Sequence, residues 1–298
     1  MVRLIDEHRE RSGVEPMCAV LPIAPSTYFR HHAEQRDPAR RSKRAQRDDA
    51  LREAIQRVWD DNFQVYGPRK VWQELRREGR RVARCTVERL MRALGLRGAV
   101  RGRAWITTTT PETSAVPRPD LVERDFTVTA PNQLWVAYFT YVATWAGFVY
   151  VAFVIDAFAR RIVGWRVSAS MRTDFVLDAL EQAVYHRADA GLAGLVHHSD
   201  RGTQHLSMRY THRLLDAGIA PSVGSTGNAY DNALAETVIG LFKTEVIQRR
   251  GSWRSLEMVE FAALAWVHWF NTGRLLEALG YVPPAEYEAR YYEQAKVA

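Results

Sequence analysis

From Leu134 to Ile155 the chain carries no charged side chain, a stretch long enough to cross a bilayer as a helix. The residue types argue against a span. Val136, Thr140, Tyr141, Val142, Val149, Tyr150, Val151 and Val154 are β-branched or aromatic, the aromatics are spread along the stretch, and TWAG at 144–147 reads as a turn. Two buried strands of a hairpin, 133–143 and 147–156, account for it better, and no membrane partner is expected. A third strand over 161–168, a helix over 173–187, an apolar strand in LAGLVHHSD, a helix near 204–217 and a short strand IAPSV give the order βββαβαβ. That order predicts a mixed sheet with helices against it. A helix opening at Asp231 and a last long helix over 255–270 follow, the latter with Phe261, Leu264, Ala265 and Val267 placed for burial.

Upstream the period is helical. Ser26 is a candidate cap for STYFRHHAEQR, and Ser42 to Asp60 carries Leu51, Ile55 and Val58 on one face. In YGPRKVWQELRREG, Pro68 suits a first helical turn and Gly79 a stop, and TVERLMRALGL has Thr86 as a candidate cap. Trp59 and Trp72 fit helical core positions. Two short helices joined by a few residues, the second rich in Arg, outline a helix-turn-helix. RGRAWITTTTPETSAVPRPD is linker material. The reading divides the chain into 1–100, 101–122, 123–225 and 226–298: a helical DNA-binding part, a linker, a catalytic α/β core and the helical C-terminal part of that core.

Charge follows this division. Residues 1–104 hold 24 basic and 14 acidic groups, a net +10, and the remainder is −3. A basic first third suggests an anionic partner, of which nucleic acid is the commonest. Arg69, Lys70, Arg76, Arg77, Arg80, Arg81, Arg84 and Arg89 are the basic face expected to touch phosphates, contacts that give affinity and position without sequence information. Cys18 and Cys85 lie far apart with no metal-ligand spacing. The charged N-terminus has no apolar signal-peptide core, so a cytoplasmic location is expected.

Reactive groups in an α/β sheet gather at the carboxyl ends of strands and the helix starts facing them. Asp200 ends the apolar run LAGLV in HHSDRG; its structural alternative is a turn cap. Glu236 sits in the helix after the glycine-rich loop GSTGNAY, and its alternative is a solvated Glu near a helix N-terminus. His197 and His198, adjacent in a strand, point to opposite faces, one toward the core and the other, His198, near the site. Asn228, Asp231 and Asn232 cap the helix or touch DNA, and Tyr230 stacks on a base or tucks against the sheet.

YGPRKVWQELRREGRRVARCTVERLMRALGLRG, NQLWVAYFTYV, FVYVAFVIDAFARRIVGW, LVHHSDRGTQHLS, SVGSTGNAYDNALAETVIGLFKTEVI and WVHWFNTGRLLEALGYVPPAEYEARYY together resemble the transposases of the insertion sequence three family, in the reading frame called OrfB. The resemblance runs nearly the whole chain. It implies a ribonuclease-H-like fold, a mixed five-stranded sheet with flanking helices preceded by an all-α helix-turn-helix domain. It also implies an Asp, Asp, Glu triad holding two Mg²⁺ (or Mn²⁺) ions for cleavage and strand transfer on double-stranded DNA, both element ends and target. A homo-oligomer on DNA, an upstream OrfA segment and a bacterial, nucleoid-associated setting come with it.

By motif, Asp200 matches the second Asp and Glu236 the Glu, whereas the place of the first Asp is Tyr138. Two hard cations about 3.5–4 Å apart need carboxylate oxygens, one set bridging. A phenol, with an ordinary pKa of about 10, does not bridge them as a carboxylate does. Asp156, ending the adjacent strand in VIDAFARR, is the nearest spare carboxylate; by the resemblance its role is structural, and its alternative is that of a further metal ligand. Two functions are therefore expected to compete: a strand-transferring recombinase, and a DNA-binding and assembly module without that activity, acting as a dominant-negative partner. A nuclease outside transposition is disfavoured, because the flanking segments also match.

Overall fold

The computed structural model describes residues 1–100, 128–199, 207–223 and 233–297, so the predicted linker lies outside the described residues. Three helices open the chain: α1 (Val2–Ser12), α2 (Val14–Val20) and α3 (Pro25–Arg36), gathered around Ile5, Cys18 and Tyr28. Ala24 precedes Pro25 as the N-cap of α3, so Ser26 is not the cap. Proline is preorganised for a first turn and has no N–H to satisfy there, which makes a side-chain cap one residue later superfluous.

A second helical group follows, α4 (Lys43–Asp61), α5 (Pro68–Arg77) and α6 (Arg84–Ala93). The Ala45 N–H donates to Ser42 Oγ at 3.2 Å, capping α4. Leu51, Ile55 and Val58 pack with Val71, Leu75, Val87, Leu90 and Met91 in one core. Gly79 and Gly95 stop α5 and α6 at positive φ. Beyond each glycine the next N–H reaches back five residues, Arg80 to the Leu75 carbonyl at 2.8 Å and Leu96 to that of Met91 at 2.9 Å. Helix α6 begins at Arg84 with Ala83 as N-cap, so Thr86 lies inside the helix and does not cap it.

The sheet contains β1 (Leu134–Thr144), β2 (Gly147–Asp156), β3 (Arg161–Ser168), β4 (Val196–Ser199) and β5 (Ala220–Val223), in the order β3-β2-β1-β4-β5. The first three pair antiparallel; β4 and β5 join in parallel. This is the ribonuclease-H-like mixed sheet, and the uncharged run is its central hairpin. No helix among the described residues is long and apolar enough to cross a membrane. The strand expected across LAGLVHHSD is shorter than read, because Gly191 and Gly194 turn the chain at positive φ before Val196.

Helix α7 (Thr173–Arg187) and α8 (Met208–Asp216) cover one face with Trp135, Ala137, Val154 and Val163. The other face carries α9 (Ala233–Phe242), which continues through a π-helical turn at Lys243–Ile247 to Gln248–Arg250, and then α10 (Leu256–Thr272) and α11 (Pro284–Val297). The buried stripe of α10 is not the one expected: Phe261, Leu264 and Ala265 are exposed, and of the predicted set only Val267 is buried. Trp266, Trp269 and Phe270 decide the rotation, since burying those three rings removes more apolar surface than burying Phe261 and Leu264.

Helices α4 to α6 do not stand apart from the sheet. Trp269 of α10 packs on Phe63 and Tyr66, with centroids at 4.8 and 5.9 Å, and its Nε1–H donates to Asn62 Oδ1 at 3.1 Å. The Tyr66 hydroxyl donates to the Gly273 carbonyl at 3.2 Å and accepts from the Leu275 N–H at 2.7 Å. Below them the buried Glu245 accepts from Arg274 and from Trp266 Nε1 at 3.0 Å.

Candidate active site

Strand β1 alternates its side chains between the two faces. Trp135 and Ala137 enter the core under α7, whereas Val136 and Val142 enter the core under α9, so Tyr138 belongs to the α9 face, where it packs half-buried against that core. Helix α9 lies across β1. Ala235, Val238, Ile239 and Phe242 are buried, which holds Glu236, half-buried in the first turn, toward the N-terminal end of the helix. A carboxylate there is favoured by the helix dipole.

Strand β4 runs parallel to β1 with His198 beside Val136 and Ser199 beside Ala137. His198 therefore shares the face of Tyr138, fully buried, with its Nδ1 and the Ser222 hydroxyl hydrogen-bonded at 2.9 Å. His197 faces α8, where its Nε2 and the Tyr210 hydroxyl meet at 3.0 Å. The two histidines thus divide between faces as the strand period demands. Described β4 ends at Ser199; Asp200, Asn228, Tyr230, Asp231 and Asn232 lie outside the described residues.

Asp156 takes the structural role and not that of a ligand beside Tyr138. It pairs with Trp135 across β1 and β2, three residues along the strand from Tyr138, while the partner of Tyr138 is Phe153. An odd offset places it on the opposite face of the sheet. Its carboxylate is fully buried and accepts from the Asn132 N–H at 2.8 Å and the Phe158 N–H at 3.0 Å, with Arg187 at 3.9 Å. Burial pushes this carboxyl above the usual range, against the pull of the two amides and the guanidinium. Asp156 is thus tied into the turn after β2 and unavailable as a ligand beside Tyr138.

Of the expected donor set, Glu236 and the Tyr138 position are described on the α9 face, and Asp200 is not. A phenol stands at the central strand position, and among the described residues no group of three or more His, Cys, Asp or Glu is arranged to hold a metal ion. The sequence reading passed over one group on the same helix, Lys243, two turns beyond Glu236. Burial lowers its ammonium pKa, and it lies 5.5 Å from the centroid of the Tyr141 ring. Its spacing of seven from Glu236, one face of a helix, was the available signal.

The predicted basic face is only partly free. Arg69 pairs with Glu277 at 3.0 Å, Arg77 with Glu286 at 2.5 Å, Arg89 with the buried Asp48 at 2.8 Å, and Arg80 reaches Glu78 at 3.8 Å. Lys70 is half-buried over the Tyr66 ring. Among the described residues Arg76, Arg81 and Arg84 have no acidic partner; Arg76 stacks on Trp72, and Arg76 and Arg81 line an open groove with Gly79 and Val82 between α5 and α6. Of this group Arg76, Arg81 and Arg84 are thus the exposed members without a carboxylate partner among the described residues.

Residues 128–229 and 217–284 match two Integrase core domain families, and 46–104 match the HTH-like domain family. The chain is 56% identical over 292 residues to the transposase for insertion sequence element IS629 of Shigella sonnei, which covers 98% of this chain and 97% of that one. A Mycobacterium tuberculosis relative named for IS986/IS6110 is 56% identical over 277 residues, covering 92% and 98%. Among solved structures, the HTLV-2 integrase catalytic core domain in complex with magnesium is similar at 14% identity and a TM-score of 0.42, over 53% of this chain and 97% of that one.

Proposed function

Because the chain belongs to the insertion sequence three family of transposases, with an integrase core and a helix-turn-helix-like segment, we propose that it binds DNA as such a transposase does but is impaired in joining element ends to target DNA. The observation that carries this reading is Tyr138 on the α9 face of the central strand, facing the helix of Glu236. A divalent pair, where a site of this kind holds one, activates the attacking oxygen and stabilises the leaving one. With Asp200 and Glu236 as the remaining carboxylates, the set here is one short, and the phenol brings a ring where an anionic oxygen is needed.

The rest of the molecule supports DNA binding without chemistry. Among the described residues Tyr138 packs half-buried against the α9-face core without disturbing the sheet, as expected of an aromatic residue in a strand. Such a chain joins assemblies on element ends, together with other copies and an upstream OrfA segment, and lowers their output as a dominant-negative subunit.

The test is Mg²⁺-dependent strand transfer on matched element-end duplex by the chain as it stands, Tyr138→Asp, and Tyr138→Asp combined with Glu236→Gln, with duplex binding measured in parallel. Tyr138→Asp is expected to raise joining by roughly four orders of magnitude, the scale on which a catalytic carboxylate acts, and Glu236→Gln to abolish the gain. Efficient joining by the unaltered chain would overturn the reading.

A further inference from the structure

Many arginines among the described residues pair with a carboxylate. Three between α9 and α10 do not: Arg249, Arg250 and Arg254 are exposed, and among the described residues none has an acidic partner. Each lies instead over an aromatic ring, Arg249 over Trp59 at 5.7 Å, Arg250 over Phe63 at 5.2 Å and Arg254 over Trp145 at 5.1 Å. Several acids in the flanking segments are engaged elsewhere. Glu245 is buried with Arg274, Asp61 accepts from Arg57, Asp60 accepts from Gln56 and Gln64, and a hydrogen bond from Ser255 lowers the pKa of Glu257.

The segment is held still. Trp253 is buried, its Nε1–H donates to the Ile247 carbonyl at 3.0 Å, and its carbonyl accepts from the Trp145 N–H at 3.0 Å. Gly251 and Ser252 turn the chain at positive φ, and Ser252, not being glycine, needs this anchoring to stay there. A guanidinium over a ring keeps its charge and its five N–H donors, which suit phosphate oxygens. The three run from the end of α4, inside the helix-turn-helix-like segment, to the exposed Trp145 at the tip of the β1–β2 hairpin.

We propose that Arg249, Arg250 and Arg254 form a DNA-backbone track that carries a duplex from the helix-turn-helix-like segment onto the sheet. This rests on the DNA-binding reading above and adds a surface that a sequence search for basic helices passes over. Continuity with Trp59 and Phe63 of that segment favours a duplex over an acidic protein.

The experiment measures binding of a fluorescent duplex against salt for the full chain, the triple Arg→Gln variant at 249, 250 and 254, the triple Arg→Lys variant, and Arg→Gln at the ion-paired Arg166, Arg209 and Arg290. Each lost phosphate contact lowers the slope of log K against log salt by about 0.9. The Gln variant is expected to lose roughly 2 to 3 from the slope for any duplex sequence, with the Lys variant and the control variant near the unaltered chain. An unchanged slope in the Gln variant, an equal loss in the control variant, or binding of poly-glutamate but not duplex through these arginines would overturn the track. Absence of salt-dependent duplex binding by the unaltered chain would instead sink the DNA-binding reading itself.

Discussion

Lys70 shows how a single residue departs from its expected role. It was expected to meet phosphate as part of a basic helix, yet burial against Tyr66, with Arg274 adding to it, pushes its pKa down to about 7 from the ordinary 10.5. An unfolded chain holds that proton up to about pH 10.5, so between pH 7 and about 10 the unfolded state binds more protons and folding gains stability as pH rises. Below 7 the cost of charging Lys70 is fully present. Above about 10 the trend is opposed by Tyr66, whose buried phenol is held well above the usual range and keeps its proton only when folded. The melting temperature is therefore expected to climb from pH 7 to 9.5 in the unaltered chain and to flatten in Lys70→Met. A climb of equal size in Lys70→Met would refute this assignment. Tyr138 is the contrasting case, legible from sequence because its motif neighbours locate it. Asp156 takes its structural role over its alternative as a ligand, because the strand period puts it on the face away from Tyr138.

At the scale of elements, the close approach of β3 to α7 is set by Gly164. A Cβ there would stand 2.0 Å from the Ala179 carbonyl oxygen and 3.0 Å from the Ala183 Cβ. Backbone cannot yield as a flexible side chain does, so Gly164→Ala is expected to cost about 3 kcal/mol, read as a lowered denaturant midpoint. A cost below about 0.5 kcal/mol would show that the helix shifts freely on the sheet. The same edge strand is closed against pairing by side chains: Asn271 accepts from the Ile162 N–H at 2.9 Å and donates to its carbonyl at 2.8 Å, and Gln182 accepts from the Trp165 N–H at 2.7 Å. Strand and helix order was legible from period and turn residues. The orientation of α10 was not, since two apolar stripes were available and only the competing burial of Trp266, Trp269 and Phe270 chose between them.

For the whole molecule, one core runs from α4 to α6 through α10 into the α9 face of the sheet. Trp269 is its hinge point, stacked on Phe63 and Tyr66 and hydrogen-bonded to Asn62. Trp269→Ala is expected to cost about 3–5 kcal/mol. Because the ring is shared, helical and sheet signals are expected to melt together in the unaltered chain and to separate into two transitions in the variant. Two transitions already present in the unaltered chain would show that the helical group folds independently of the sheet.

The amino-acid sequence by itself determined the order of elements, the mixed sheet, the family and the place of Tyr138, because periodicity, turn residues and short motifs are local and need no partner to be read. Only the tertiary structure decided which charges remain outward: it turned Lys70 inward, bound Arg69, Arg77, Arg80 and Arg89 to carboxylates distant or near, and left Arg249, Arg250 and Arg254 stacked on aromatic rings. The physical reason is that a charge is neutralised by whatever the fold brings within a few ångströms of it, and that neighbour is set by packing over long sequence separations.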